Sequence, residues 1–216
     1  MIIAKSKLLQ FKECPLSFKF QYISKIEKDT KSAYVTIKGI NIHNLFNKYF
    51  DNPNIEIPLE YREIFNKFYE WNLIFSKINK NYFQPKPISI NELVLKDFMA
   101  YDWVKVASKY PIQEIPIKRE QHIKALDIYG IVDRINYDGS NYTLIDYKSG
   151  FYNLSELRFE LNFYKYLVDS ANILNKPIEF ISSYGYNKGT IFFERVTERS
   201  YNLMLQKVKL FRNIKF

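Results

Sequence analysis

Cysteine occurs once in the 216 residues, as Cys14, which excludes an internal disulfide framework and any cysteine-rich metal cluster built by this chain alone. No apolar run approaches the roughly 20 residues that span a bilayer. The opening MIIAKSKLLQFKECP carries charge too early and too often for a signal peptide. The expectation is a soluble, cytoplasmic (intracellular) protein with no membrane partner. Repeats and low-complexity linkers are also missing. Acidic residues are the minority charge: 23 Asp and Glu stand against 32 Lys and Arg, a net charge of +9 and a pI near 9.3. That surplus favours partners that carry phosphate, because the attraction needs no particular base sequence. The many Lys, Asn, Ile, Tyr and Phe residues are also what an AT-rich gene encodes.

What is present is enough apolar material, 47% of the chain, for a sizeable core. From Ser6 to about Asn81 its spacing is mostly helical: Leu8, Leu9, Phe11, Phe18, Phe20, Tyr22 and Ile23, then Ile42, Leu45, Phe46, Tyr49 and Phe50, then Ile64 to Ile78. Gln84-Pro85-Lys86-Pro87 breaks this pattern, and a further helix is predicted over Glu92 to Lys109. From Ile112 the pattern turns to strands, around 112–118, 122–127, 129–137 and 142–148. A helix follows, with Leu157, Leu161, Tyr164 and Val168 on one stripe and Ser155 as its predicted N-cap. Strands over 178–186 and 190–196 and a basic amphipathic helix over 198–213 complete the pattern. The division is a helical 1–110 and an α/β 111–216, forming one integrated unit.

The densest chemistry lies in Gly130 to Gly150, GIVDRINYDGSNYTLIDYKSG. Asp138-Gly139 between two apolar alternations signals a tight hairpin, which makes the two strands antiparallel neighbours. Side chains two apart on a strand share a face, so Asp146 and Lys148 project together, Tyr147 points away, and pairing brings Asp133 within reach. Two converging carboxylates repel unless a hard divalent cation fixes both as anions. A lysine beside them can orient or deprotonate a water and offset charge developing on a phosphate.

The order of elements and motifs resembles the RecB-type branch of the PD-(D/E)xK nuclease superfamily, including the CRISPR-associated RecB-like exonucleases. The resemblance rests on S-x-L-x-x-F-x-x-C-P-x-x-F at Ser6 to Phe18, G-x-x-x-H at Gly39 to His43, G-x-x-D-R at Gly130 to Arg134, D-Y-K-S-G at Asp146 to Gly150, and a helix similar to Q-L-x-x-Y-x-x-x-L. It implies an α/β (α+β) fold: a restriction-endonuclease-like core with a mixed central β-sheet flanked by helices, plus an N-terminal helical subdomain carrying the metal-binding histidine.

Carried over, the resemblance implies that His43, Asp133 and Asp146 ligate one Mg²⁺ or Mn²⁺, with the Tyr147 carbonyl as a further ligand and Lys148 as the catalytic lysine. A histidine nitrogen among oxygens suits Mn²⁺. Glu114 on the first predicted strand is the candidate additional acid, with Glu120 competing for that role. Arg134 points to the opposite face, toward a carboxylate or the helical block.

This chain departs from the family at two places. Glu160 stands where relatives have Gln, sharing a helix face with Tyr164, and both are candidate substrate contacts. Cys14 matches the first of four iron–sulfur cysteines, but the other three are missing, so no iron–sulfur cluster is expected and Cys14 should pack as a buried apolar group. The implied activity is hydrolysis of DNA phosphodiesters, with single-stranded DNA as the preferred partner and aromatic rings available to stack its bases. A homo-oligomer or a protein partner is compatible with this reading. Two alternatives stay open: a catalytically silent nucleic-acid-binding or assembly factor, and a restriction-type dimeric endonuclease.

Overall fold

Tyr137 and Tyr142 face each other across four residues, Asp138 to Asn141, and this tight turn organises the centre of the protein. Gly139 takes φ +92°, a left-handed conformation that side chains oppose. Asp138 Oδ1 accepts from the N–H groups of Ser140 and Asn141 at 2.7 and 2.6 Å, the local bonding that favours Asp in turns. The Asp-Gly signal thus forms the predicted hairpin.

The computed structural model describes residues 2–26, 33–52, 55–75, 88–89, 116–149 and 153–213. Helices α1 (Lys5–Glu13) and α2 (Pro15–Phe18) lead into a π-helical turn, Lys19–Ile23, followed by α3 (Ala33–Asp51) and α4 (Arg62–Phe75). The strands are β1 (Ile88–Ser89), β2 (Pro116–Ala125), β3 (Ile128–Tyr137), β4 (Tyr142–Lys148), β5 (Phe180–Gly185) and β6 (Thr190–Arg195). Helix α5 (Leu154–Ser170) joins β4 to β5, and α6 (Glu198–Arg212) follows β6. Strand order is β1-β6-β5-β4-β3-β2, with β4 and β5 parallel and the other neighbours antiparallel. The sheet is therefore mixed, as expected, and α5 is the crossover that a parallel pair requires.

Helices cover both faces of this sheet. One core joins Leu8 and Phe18 to Val132 and Leu144 of the sheet, Leu161 and Leu167 of α5, and Val208 and Phe211 of α6. The other joins Ile42 and Phe46 of α3 and Phe68 and Trp71 of α4 to Tyr147, Tyr184 and Phe193. Full burial of each such side chain contributes about 1.5–3 kcal/mol. The second core is largely aromatic: Phe46 stacks on Phe68 at 3.9 Å and Trp71 on Tyr184 at 4.8 Å between ring centres.

Three sequence expectations are corrected. The two strands predicted over 112–118 and 122–127 are one strand over its described length, β2, because a left-handed residue, Glu120 at φ +42°, interrupts the pattern without ending the pairing. The N-cap of α5 is Asn153, not Ser155: Asn153 is extended, and its side chain accepts from Ser155 and Glu156 N–H. Cys14 is exposed, because it sits between α1 and α2, where its Sγ accepts from Ser17 N–H at 3.4 Å. The Gln84–Pro87 break and the predicted 92–109 helix lie outside the described residues.

Candidate metal centre and active site

Pairing of β3 with β4 runs from the hairpin as far as Arg134 and Ile145. Just past it, the Tyr147 N–H donates to Asp133 Oδ2 at 2.7 Å, so a side-chain carboxylate sits where the ladder ends. On the part of β3 past this point, Ile3 forms a parallel bridge to Ile128, with Ile3 N–H donating to Asp127 O at 2.6 Å and Tyr129 N–H to Ile3 O at 2.9 Å. The bridge fixes the start of α1 beside the end of the ladder.

His43 comes from α3. Ile42 and Phe46 on that helix are fully buried against the sheet, which holds His43 at the edge of the contact. Its Nδ1 lies 3.5 Å from Asp133 Oδ1 and 3.7 Å from Glu120 Oε1, and its ring meets Tyr147 edge-on at 5.5 Å. Among the described residues these three side chains, His43, Glu120 and Asp133, each offer a ligand atom within 4.8 Å of the others. Burial pulls the His43 imidazole down, but hydrogen bonding to Asp133 and Glu120 and their charges outweigh it and push the pKa up to about 10.

Asp146, the third expected ligand, lies outside this group of three. It shares a strand face with Lys148, whose Nζ lies 3.0 Å from Asp146 Oδ2, whereas the left-handed backbone at Glu120 carries that carboxylate toward His43 instead. Lys148 also contacts Glu160 Oε2 at 2.6 Å, and the same oxygen takes Lys5 Nζ at 3.2 Å. Burial opposes charge on Lys148, but Asp146 and Glu160 together hold its ammonium well above the usual lysine range. It is thus held as an ammonium between two carboxylates.

Tyr164 belongs to this second group. It is buried, and its hydroxyl is pushed up first by burial and then by the charge of Asp146, with Asp133 and Glu160 adding to the effect. One tyrosine thus lies in the field of carboxylates from both groups. Gly130 permits this approach: a Cβ there would lie 3.0 Å from Tyr164 Cε1 and 3.0 Å from Leu167 Cδ2.

The donor set fits a divalent cation. Glu120 Oε1 and Asp146 Oδ2 are buried oxygens that no well-formed hydrogen bond satisfies; the neighbouring cations are the His43 ring at 3.7 Å and the Lys148 ammonium at 3.0 Å. Buried acceptors without donors are costly, and a cation satisfies several at once.

Comparison with known families matches residues 3–198 to the PD-(D/E)XK nuclease superfamily. The chain belongs to that superfamily. A comparison with curated proteins gave no match. Membership makes this protein a metal-dependent nuclease, a hydrolase acting on nucleic acid. No helix among the described residues is long and apolar enough to cross a membrane.

Among the described residues, the fold gathers His43, Glu120 and Asp133 into one group and Asp146, Lys148 and Glu160 into another. Glu114 lies outside the described residues, and its competitor Glu120 is at the site. Tyr147 has its ring in the second core and its N–H on Asp133. Burial comes first in raising the pKa of its hydroxyl to about 12. Arg134 is 1% exposed and reaches the helical block, donating to Asn72 Oδ1 at 2.5 Å and to Asn136 Oδ1 at 2.7 Å beneath the Phe50 and Trp71 rings. The rings of Phe46, Phe68 and Trp71 are fully buried and so do not stack bases. Lys5 was missed: its contact with Glu160 spans 155 residues of sequence, which no local pattern signals.

Proposed function

We propose that this nuclease is a Mg²⁺- or Mn²⁺-dependent deoxyribonuclease that acts on single-stranded DNA, with Asp133 as the ligand common to its charged groups. The observation that carries the proposal is the carboxylate of Asp133, held by the Tyr147 N–H, lying 3.5 Å from His43 and grouped with His43 and Glu120 within 4.8 Å. His43, Asp133, Asp146 and Glu120 would hold the cation, with the Tyr147 carbonyl as a further ligand. A bound divalent cation there supplies Lewis acidity toward the scissile phosphate and a more acidic water. Lys148, an ammonium fixed by two carboxylates, orients the attacking water and offsets negative charge on the phosphate as it builds. Glu160 holds Lys148 from behind, and Tyr164 closes the site with its buried ring.

Depth supports a single-stranded substrate. The side chains of Asp133 and Asp146 are only 11% and 8% exposed, so the reacting phosphate must enter a recess. A flexible single strand can bend into it more readily than a rigid duplex, and the net charge of +9 draws the strand in.

The test is to incubate the protein with circular and end-labelled linear single strands and with matching duplexes, in Mg²⁺, in Mn²⁺ and in chelator. The expected result is metal-dependent digestion of single strands, abolished by chelator. Loss of the circle establishes endonuclease action; a resistant circle with a digested linear strand establishes an end-dependent enzyme. Binding without cleavage in either metal would favour the silent scaffold instead.

A further inference from the structure

Glu160 introduces a problem that the site must solve. It places a fourth carboxylate, after Glu120, Asp133 and Asp146, beside the place where a phosphate dianion-like transition state must form. It also competes for the only lysine on β4. Held by Lys148 alone, Glu160 would draw that ammonium toward α5 and leave the recess strongly negative. The structure supplies a second cation: Lys5 Nζ lies 3.2 Å from Glu160 Oε2, the same oxygen that Lys148 approaches at 2.6 Å. Both partners are sheltered, with side chains 22% and 14% exposed, so solvent screens the pair only partly. The position of Lys5 is fixed from both sides. Ile3, two residues earlier, is bridged to Ile128 at the open part of β3, and the Lys5 ammonium also lies 5.4 Å from the centre of the Tyr164 ring.

We propose that Lys5 is a positioning residue of the nuclease site: it neutralises Glu160 from the α1 side, so that Lys148 stays directed at Asp146 and the phosphate. Lys5 acts through Glu160 and touches no substrate. The proposal rests on the deoxyribonuclease reading above and assigns a role to a residue that lies before the first recognisable motif.

The experiment measures kcat and KM for single-stranded oligonucleotide cleavage by wild type, Lys5→Met, Lys5→Arg and the double variant Lys5→Met/Glu160→Gln, all well below their melting temperatures. Losing a charge-assisted contact should lower kcat/KM about tenfold or more in Lys5→Met, with part of the loss in kcat. Lys5→Arg should recover most of it. The double variant should exceed Lys5→Met, because the carboxylate that needed neutralising is gone. Wild-type activity with an unchanged Lys5→Met sinks this inference alone, as does a Lys5→Met defect that neither Arg nor the second substitution relieves, which would mean that Lys5 only docks α1. A wild type inert in both metals sinks the nuclease reading and this inference together.

Discussion

The Tyr147 main-chain N–H and the Asp133 carboxylate are bonded at 2.7 Å, which makes one aspartate both a strand-ending acceptor and a member of the charged site. These two tasks separate by substitution. Asp133→Asn keeps an acceptor for Tyr147 and should melt within about 1 kcal/mol of wild type, while metal-dependent cleavage falls at least about 100-fold. Asp133→Ala should lose cleavage and also about 1–3 kcal/mol of stability from the unpaired N–H. Equal denaturation midpoints for the two variants would contradict the acceptor role.

Lys148→Ala removes the cation between Asp146 and Glu160. Turnover should drop by about 10²- to 10³-fold, with the circular-dichroism spectrum unchanged. Near wild-type turnover in Mg²⁺ or Mn²⁺ would show that Lys148 is not the catalytic lysine.

Glu120→Gln tests the ligand that the sequence left in competition with Glu114. Titration calorimetry with Mn²⁺ should show affinity weaker by about 10- to 100-fold, the range found when groups supporting a metal site are removed. Affinity equal to wild type would place Glu120 outside the metal's reach.

Gly130→Ala probes the contact of the hairpin with α5. Its new Cβ would meet Tyr164 and Leu167 at 3.0 Å, an overpacking that should cost about 1–3 kcal/mol in chemical denaturation. Because Tyr164 borders the site, activity should fall with it. A variant as stable and active as wild type would show that α5 can shift freely.

Acid should loosen α6. Asp127 and Arg212 are doubly bonded at 2.9 and 2.5 Å, and Arg212 holds the Asp127 carboxyl below its ordinary range, against a smaller opposing effect of burial. A carboxylate with a lowered folded-state pKa stabilises at pH values above its unfolded pKa and loses that contribution as pH falls through the folded value. The stability gap between wild type and Asp127→Asn should therefore be present at neutral pH and shrink below about pH 4. A gap that stays constant down to pH 2 would contradict this.

What the sequence revealed was local. The hairpin was legible because Asp138-Gly139 fixes a turn within four residues, and the alternation on either side fixes which faces its charges take. The α5 stripe was legible for the same reason. Glu120 could only be named as a competitor, since its position depends on a left-handed backbone inside a strand, and its residue type gives no hint of that. The tight grouping of Glu120 rather than Asp146 with His43 depended on where the ladder between β3 and β4 ends. The exposure of Cys14 followed from a helix break that apolar spacing smooths over. Lys5 lay beyond reach because its partner is on a helix 155 residues away.

The parallel register that sets Asp146 beside Ser183 and Lys148 beside Gly185 has a consequence for the protein's birth. Until β5 arrives, strand β4 is the open edge of the β2-β3-β4 meander, and β5 leaves the ribosome only after the whole of α5. A nascent chain that has emerged only through the hairpin carries Asp133, Asp146 and Lys148 but lacks Glu160, which contacts Lys148 from α5. The charged cluster is complete only once α5 folds back and β5 closes against β4.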